Sequence, residues 1–392
     1  MELGNLRTAL GWAIANESGE LALALSVGMY ELWQRLGILR EGKQRLFEAL
    51  DATKGLESPL RARGLYCAGA LVDWLGEPLV AQGLYRESLR LYEALEETAG
   101  IISVLVPLAS ALINQGDFVE GRSRSEQALS MAREHDKPEG IARALSNLGM
   151  VSIYQGEAQK ARGSYEEMLS VSQANKDLAS EMGWALTGLS WVELLQGNYE
   201  VAQEYINQSL AIHYQLSDML SATLALVCDS WIALYQADVA VAAGKLAACL
   251  TLCRELGIVQ LSLWPLVGLA RLDLHRGNAP QARASLEEAL RLCQQLNFPP
   301  MTTWVYIGFG KLLRLEGDIE TAFDDLDRGL MLSHKRDDKS ALVTALEEFA
   351  AHFAVQNQIE PAAQLCTAPR SRCARLISCR YRKSMALNAI KY

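Results

Sequence analysis

Gly37, Gly42 and Lys43 stand in the order Gly-x4-Gly-Lys. With that spacing a phosphate loop curls backbone N–H groups around a nucleotide and sends a lysine to its phosphates. Two features oppose the chemistry here. The next residue is Gln44, where a Ser or Thr hydroxyl must reach magnesium, and the upstream flank has helical spacing where a phosphate loop must follow a strand. No nucleotide site is therefore expected, and no other phosphate loop occurs in the chain. Cys249 and Cys253 lie four residues apart on one helical pattern, with Cys228 in the pattern before it. Two thiolates on one helix face could hold a metal, but no Cys-x-x-Cys or paired His accompanies them, so buried thiols are expected. His135, His213, His275, His334 and His352 are isolated from one another. No Gly-x-Ser-x-Gly, Cys–His pairing or carboxylate constellation stands clear of the helical Glu and Asp background. These residues predict a non-catalytic chain with no cofactor and no metal.

What positions these residues is a repeat. A short turn recurs at Gly37-Ile38, Gly76-Glu77, Gly116-Asp117, Gly156-Glu157, Gly197-Asn198, Ala237-Asp238, Gly277-Asn278, Gly317-Asp318 and Asn357-Gln358, at intervals of 39 to 41 residues. Other columns keep step. Seven positions before the turn lie Gly69, Ala109, Gly149, Ser190, Ser230, Ala270, Gly310 and Ala350. Five after it lie Gly42, Ala81, Gly121, Ala161, Ala202, Ala242, Ala282, Ala322 and Ala362. Leu65, Leu105, Leu145, Leu186, Leu226, Leu266 and Leu346 fall eleven before it, with Tyr306 in the same column. The flanks have helical apolar spacing, the small residues let two helices approach, and the turn Gly supplies the left-handed conformation that ends the first. A lone hairpin cannot bury its apolar face, so hairpins must stack. Both glycines of the phosphate-loop pattern are thereby absorbed into repeat columns. Pro107 and Pro265 fall inside first helices and are expected to distort them.

Composition agrees. The 392 residues are 50% hydrophobic and 21% charged, enough for a large core and unlike a disordered chain. A net charge of −9 argues against a general nucleic-acid surface. No stretch approaches the roughly 18 apolar residues of a membrane span. The first residues show no basic-then-apolar leader, and the Cys are scattered, so a cytoplasmic location is expected.

The column pattern (small pair, turn Gly, Ala, aromatic or aliphatic, Ala-Leu) resembles the tetratricopeptide repeat over about residues 30 to 365, with 40 residues in place of the usual 34. The resemblance implies an all-α, right-handed superhelical solenoid of helical hairpins. The opening Glu2-Leu3-Gly4-Asn5-Leu6-Arg7-Thr8-Ala9-Leu10-Gly11-Trp12 is similar to the segment that begins the repeat region of bacterial STAND-class ATPases, including regulators with LuxR-type outputs. That resemblance implies the sensor part of such a regulator without its ATPase module. It leaves open a nucleotide-binding module encoded upstream.

The organisation expected is therefore an opening helical segment at 1–36, a repeat array at 37–365, and a basic tail at 366–392. The tail has seven Lys or Arg and no Asp or Glu. So abrupt a change suggests a shifted reading frame; the alternative is a basic tail for an acidic partner.

In tetratricopeptide arrays the first helices line the concave face, which singles out the columns 13, 10, 6, 3 and 2 before the turn. They collect Arg63, Tyr66, Asp73, Trp74, Asn114, Arg143, Tyr154, Trp184, Trp191, Trp231, Tyr235, Trp264, Arg271, Trp304 and Lys311, including six of the eight Trp. Either these rings are spacers between helices, or with Arg and Lys they line a groove for a peptide, a sugar or another planar or acidic ligand, the effector or partner. An open groove predicts that Trp191→Ala with Trp231→Ala abolishes binding at little cost in stability. The functions expected are a ligand- or protein-binding sensor scaffold, or a free-standing protein-interaction scaffold, with nucleic acid and membrane not among the partners.

Overall fold

The computed structural model describes residues 2–236 and 238–367. Among these residues the regular elements are all helical. Helix α1 (Glu2–Ala15) opens the chain. Nine hairpins follow: α2 (Gly19–Arg35) with α3 (Leu39–Ala52), α4 (Pro59–Trp74) with α5 (Pro78–Ala94), α6 (Thr98–Asn114) with α7 (Phe118–Glu134), and α8 (Pro138–Tyr154) with α9 (Ala158–Ala174). After them come α10 (Ala179–Gln196) with α11 (Tyr199–Gln215), α12 (Met219–Tyr235) with α13 (Val239–Glu255), and α14 (Leu263–His275) with α15 (Ala279–Leu296). The last two pair α16 (Pro299–Glu316) with α17 (Ile319–Arg336), and α18 (Lys339–Val355) with α19 (Ile359–Thr367). Residues 368–392, nearly all of the basic segment, lie outside the described residues.

The turn column behaves as its chemistry requires. Gly37, Gly76, Gly116, Gly156, Gly197, Gly277 and Gly317 have φ between 66° and 89°, and Asn357 stands in for Gly at 58°. The following residue turns its N–H back onto the closing helix, as Glu77 to the Val72 carbonyl (2.9 Å) and Asp117 to Leu112 (2.9 Å), a Schellman closure. Asp117 and Asp318 then cap the second helix, accepting from the Glu120 and Thr321 N–H groups. A second left-handed column lies between hairpins: Glu17, Gly55, Glu96, Asp136, Ser217, Gly257, Asn297 and Asp337. Only at 176–178 is it replaced by a short 3-10 turn.

Small residues set the distance between helices. Ala81, Ala161, Ala202, Ala242, Ala282 and Ala322 are fully buried. A β-carbon on Gly69 would come within 2.7 Å of the Tyr85 ring, one on Gly149 within 2.6 Å of Tyr165, and one on Gly310 within 2.5 Å of Leu326. First helices also pack on the next first helix, α2 with α4, α4 with α6, α14 with α16 and α16 with α18. Ion pairs link successive repeats: Arg7 with Glu41, Lys43 with Glu77, Arg86 with Glu120, Arg133 with Glu167, Arg283 with Glu316 and Arg314 with Glu348. Each joins partners 33 or 34 residues apart.

Two expectations need correction. Pro265 is the third residue of α14, behind a 3-10 turn at 259–262, so its missing N–H falls in the first turn, where no helical partner is needed. Pro107 does sit inside α6, yet the helix runs through it; the Asn147 amide donates to the adjacent Val106 carbonyl (2.9 Å). Stacking is also not confined to neighbours. The turn at 154–156 meets 336–339: Gln155 donates to Asp337 (3.4 Å), and Lys339 lies 3.5 Å from where a Gly156 β-carbon would be.

The chain divides into two compact units. One comprises 1–151, 159–229 and 251–261; the other comprises 152–158, 230–250 and the chain from 262 onward.

Candidate functional site

The phosphate-loop pattern is packing. Gly42 is buried, and a β-carbon there would strike Trp33 (2.8 Å) and Leu71 (2.7 Å), so the packing requires glycine. Lys43 Nζ lies 2.6 Å from both carboxylate oxygens of Glu77, and the segment joins α2 to α3, with no strand before it. Cys228, Cys249 and Cys253 are buried thiols outside any disulfide. Burial pushes the Cys228 thiol well above its usual range, which suits an inert side chain. Among the described residues no three His, Cys, Asp or Glu gather as a metal site would require.

The first-helix columns divide between the units. In the first unit Arg63 is exposed, and Tyr66, Asp73, Trp74, Asn114 and Trp191 are half-buried. Tyr66 on α4 meets Tyr30 of α2 edge-on (ring centroids 6.2 Å) and lies 6.4 Å from Tyr85. Sequence reasoning missed Tyr30. It holds the position seven before its turn, where later repeats have a small residue, and that mismatch was the available signal. Burial lifts the Asp73 carboxyl to about 6. Arg143 on α8 is held by Glu139 (2.9 Å) and Glu181 (3.2 Å). Trp184 on α10 is 37% exposed; its indole N–H donates to the Ser221 hydroxyl (2.8 Å), which donates to Asp218 (2.7 Å). This ring is oriented by a hydrogen-bond chain while its face stays accessible.

In the second unit the columns converge on an aromatic group. Trp231 of α12 stands edge-on to Trp264 of α14 (6.1 Å) and lies 6.1 Å from Tyr235. The Arg271 guanidinium sits 5.3 Å from the Trp231 ring and 5.2 Å from Tyr235, distances that suit cation–π attraction. Tyr235 is 37% exposed, whereas Trp231 is only 4% exposed. The double variant of Trp191 and Trp231 is therefore not the stability-neutral probe that an open groove implied. Trp231 is a buried base for the group, Trp264 is half-buried, and Tyr235 is its exposed ring. Trp304 packs on the core of Phe323, Leu326 and Phe349, and Lys311 is paired with Glu348 (3.2 Å). Tyr154 is half-buried in the 154–156 turn that meets 336–339. Burial and the nearby Asp338 carboxyl push its hydroxyl well above the usual range.

The arrangement offers stacking faces, oriented donors and fixed cations along first helices, with no nucleophile–base pair among them. Such surfaces bind.

Two tetratricopeptide-repeat family profiles match the chain, at residues 140–215 and 263–288. Outer dynein arm-docking complex subunit 4 of Mus musculus is 27% identical over 113 residues, 28% of this chain and 18% of that protein. The chain thus aligns with less than a fifth of that relative. Similar solved structures cover far more. A Rap protein complexed with competence and sporulation factor has a TM-score of 0.67 at 12% identity, over 92% of this chain and 99% of that one. The Rap conjugation gene regulator of plasmid pLS20, in complex with the Phr* peptide, has a TM-score of 0.59 at 15% identity, over 71% and 75%. At these identities the likeness shows the fold: an all-helical solenoid carrying tetratricopeptide repeats.

Proposed function

We propose that this chain is a non-catalytic scaffold that holds a peptide, or an extended segment of a partner protein, along its first helices. The observation that carries the reading is the aromatic group of the second unit, Trp264 and Tyr235 gathered about Trp231 and Arg271; within the first unit Trp184 is separately oriented through Ser221. Aromatic rings of this kind give large contact area at low entropic cost. Of two solenoids of the same fold, one is a Rap protein complexed with competence and sporulation factor and the other a Rap regulator in complex with the Phr* peptide, which supports a peptide as the ligand here.

We further place the scaffold in signalling, as the sensor of a STAND-class ATPase regulator. The support is the Glu2–Trp12 segment. In α1 its Leu10 is buried, its Arg7 is tied to Glu41, and Trp12 is 59% exposed and available to a partner module. The free-standing interaction scaffold differs in having no ATPase partner.

The reading is tested by probing the purified chain with a phage-displayed library of random dodecapeptides, with a Trp184→Ala/Trp264→Ala variant as control. Enriched peptides that bind the natural chain and lose at least tenfold on the variant are expected. No enrichment, or enrichment equal on both proteins, overturns the reading.

A further inference from the structure

Helix α1 stands in the place of a second helix. Arg7 pairs with Glu41, four residues past Gly37, as Arg86 of α5 pairs with Glu120, four past Gly116. Each pair spans 34 residues. Leu10 precedes Leu50 by 40 residues and is buried like it. In later hairpins the second helix lies against its own first helix, as α5 on α4 and α11 on α10. Among the described residues no helix holds that place beside α1.

Two columns of a second helix make that contact. One holds Tyr85 and Tyr165, on which Gly69 and Gly149 of the first helix pack. The other holds Ser88, Ser209 and Gly329. Ser88 donates to the Ala62 carbonyl (2.6 Å), Ser209 donates to Gly183 (2.8 Å), and a β-carbon on Gly329 would lie 2.9 Å from Ile307. In α1 these columns are Leu6 and Ala9, 40 residues before Leu46 and Ala49. Leu46 and Ala49 are fully buried, whereas Leu6 is half-buried and Ala9 exposed.

Helix α2 is uncovered on the matching side. A first helix meets the one before it through the columns 16 and nine before its turn. Arg143 donates to Glu181 (3.2 Å), the Trp184 N–H to Ser221 (2.8 Å), and Asn147 to the Val106 carbonyl (2.9 Å). In α2 these columns are Leu21, 46% exposed, and Gly28, whose β-carbon would meet nothing within 4 Å. Leu32 is half-buried in a column that is buried at Leu71, Ala111, Val151 and Val192.

We propose that Leu6, Ala9, Leu21, Gly28 and Leu32 form a docking surface for an amphipathic helix of a partner polypeptide, seated where a first helix would pair with α1. The interface that recurs along the array specifies this occupant. It is a helix of about 17 residues, the length of α6 and α8, apolar on two adjoining faces. It carries Gly or Ala where it crosses α1, and an apolar residue opposite Leu21, where inner repeats set Arg143 or Trp184 against a polar partner. A second copy would set these columns against themselves, not against the columns 13 and ten before a turn that they meet in the array. The surface shares no residue with the aromatic group around Trp231 and is independent of the peptide reading.

The test pans a phage-displayed library of 17-residue helices, patterned on the first-helix columns, against the full chain. Enriched helices should bind the natural chain, lose roughly tenfold or more on Ala9→Arg/Gly28→Arg, and keep their affinity on Trp184→Ala/Trp264→Ala. Helices lost only on the tryptophan variant lie in the groove; they overturn the docking surface and leave the peptide reading intact. No enrichment overturns the surface. So does a dimer of the natural chain that Gly28→Arg dissolves, which would give the face to a second copy. A second measurement needs no library. Residues 138–159, which hold α8 and its turn, are fused ahead of Met1, so that Gly156 stands nine residues before Leu6, as Gly76 stands before Tyr85. The fusion should raise the thermal midpoint by a few degrees, and Ala9→Arg should cancel the rise; no rise overturns the proposal.

Discussion

Lys43 Nζ lies 2.6 Å from each carboxylate oxygen of Glu77, so the lysine that completes a phosphate-loop spacing is bound by the next repeat. Its neighbour Gly42 is small because Trp33 and Leu71 close over it. Calorimetry with ATP and magnesium should therefore register no binding heat. Lys43→Ala should cost under about 1 kcal/mol of stability, because both partners of the pair are about a third exposed. Micromolar ATP binding lost on Lys43→Ala would contradict this account of the pair.

Tyr165 fills the space left by two glycines. A β-carbon on Gly188 would lie 2.3 Å from its ring, one on Gly149 2.6 Å away. Gly188→Ala should destabilise by about 1–3 kcal/mol through overpacking. Gly163→Ala, helical with open space around it, should stabilise by roughly 0.5–1 kcal/mol through helix propensity. Denaturant midpoints of the two variants should move in opposite directions.

His352 is buried beside Phe323, Phe349 and Phe353. Burial, with the nearby Arg314 charge, lowers its pKa to about 4 from 6.5. Between those values the unfolded chain binds the extra proton and the folded chain does not. The contribution is full above pH 6.5 and is lost as pH falls toward 4. Asp73 and Asp338, lifted by burial to about 6, act oppositely and lose stability as pH rises from 3.8 to 6. The difference in thermal midpoint between the natural chain and His352→Phe isolates the histidine. The variant should lose less between pH 7 and 4.5, and equal losses would contradict the assignment.

Trp231 and Trp184 both lie on first helices but differ in exposure, 4% against 37%. Trp231→Ala should cost about 3–5 kcal/mol, as removal of a buried ring does. Trp184→Ala should cost much less, because its ring is partly in water and its hydrogen bond reaches a hydroxyl already engaged with Asp218. Chemical denaturation compares them; equal costs would make Trp184 a helix spacer.

The repeat was legible because its constraints recur. A turn that needs positive φ selects Gly at seven of its nine positions, and a close helix approach selects Gly, Ala or Ser in register. The second left-handed column was hidden because Glu17, Glu96, Ser217 and Asp337 reach the same conformation without glycine. The candidate site was legible only as columns. Counting back from the turn selects a helix face, but it cannot tell that Trp231 is covered by Trp264 and Arg271, or that Trp304 leans into the α17–α18 core. The meeting of Gln155 with Asp337 spans 182 residues, and a pattern of period 40 carries no trace of it.

The central claim is that the ligand lies along the first helices, and site-specific photo-cross-linking addresses it most directly. Benzoylphenylalanine placed at Trp184 or Tyr235, both 37% exposed on first helices, should cross-link a library-selected peptide, with unlabelled peptide competing. The same probe at Val119, 78% exposed on the second helix α7, should not. Cross-linking from Val119 with none from Trp184 or Tyr235 would place the ligand on the opposite helices and contradict the account.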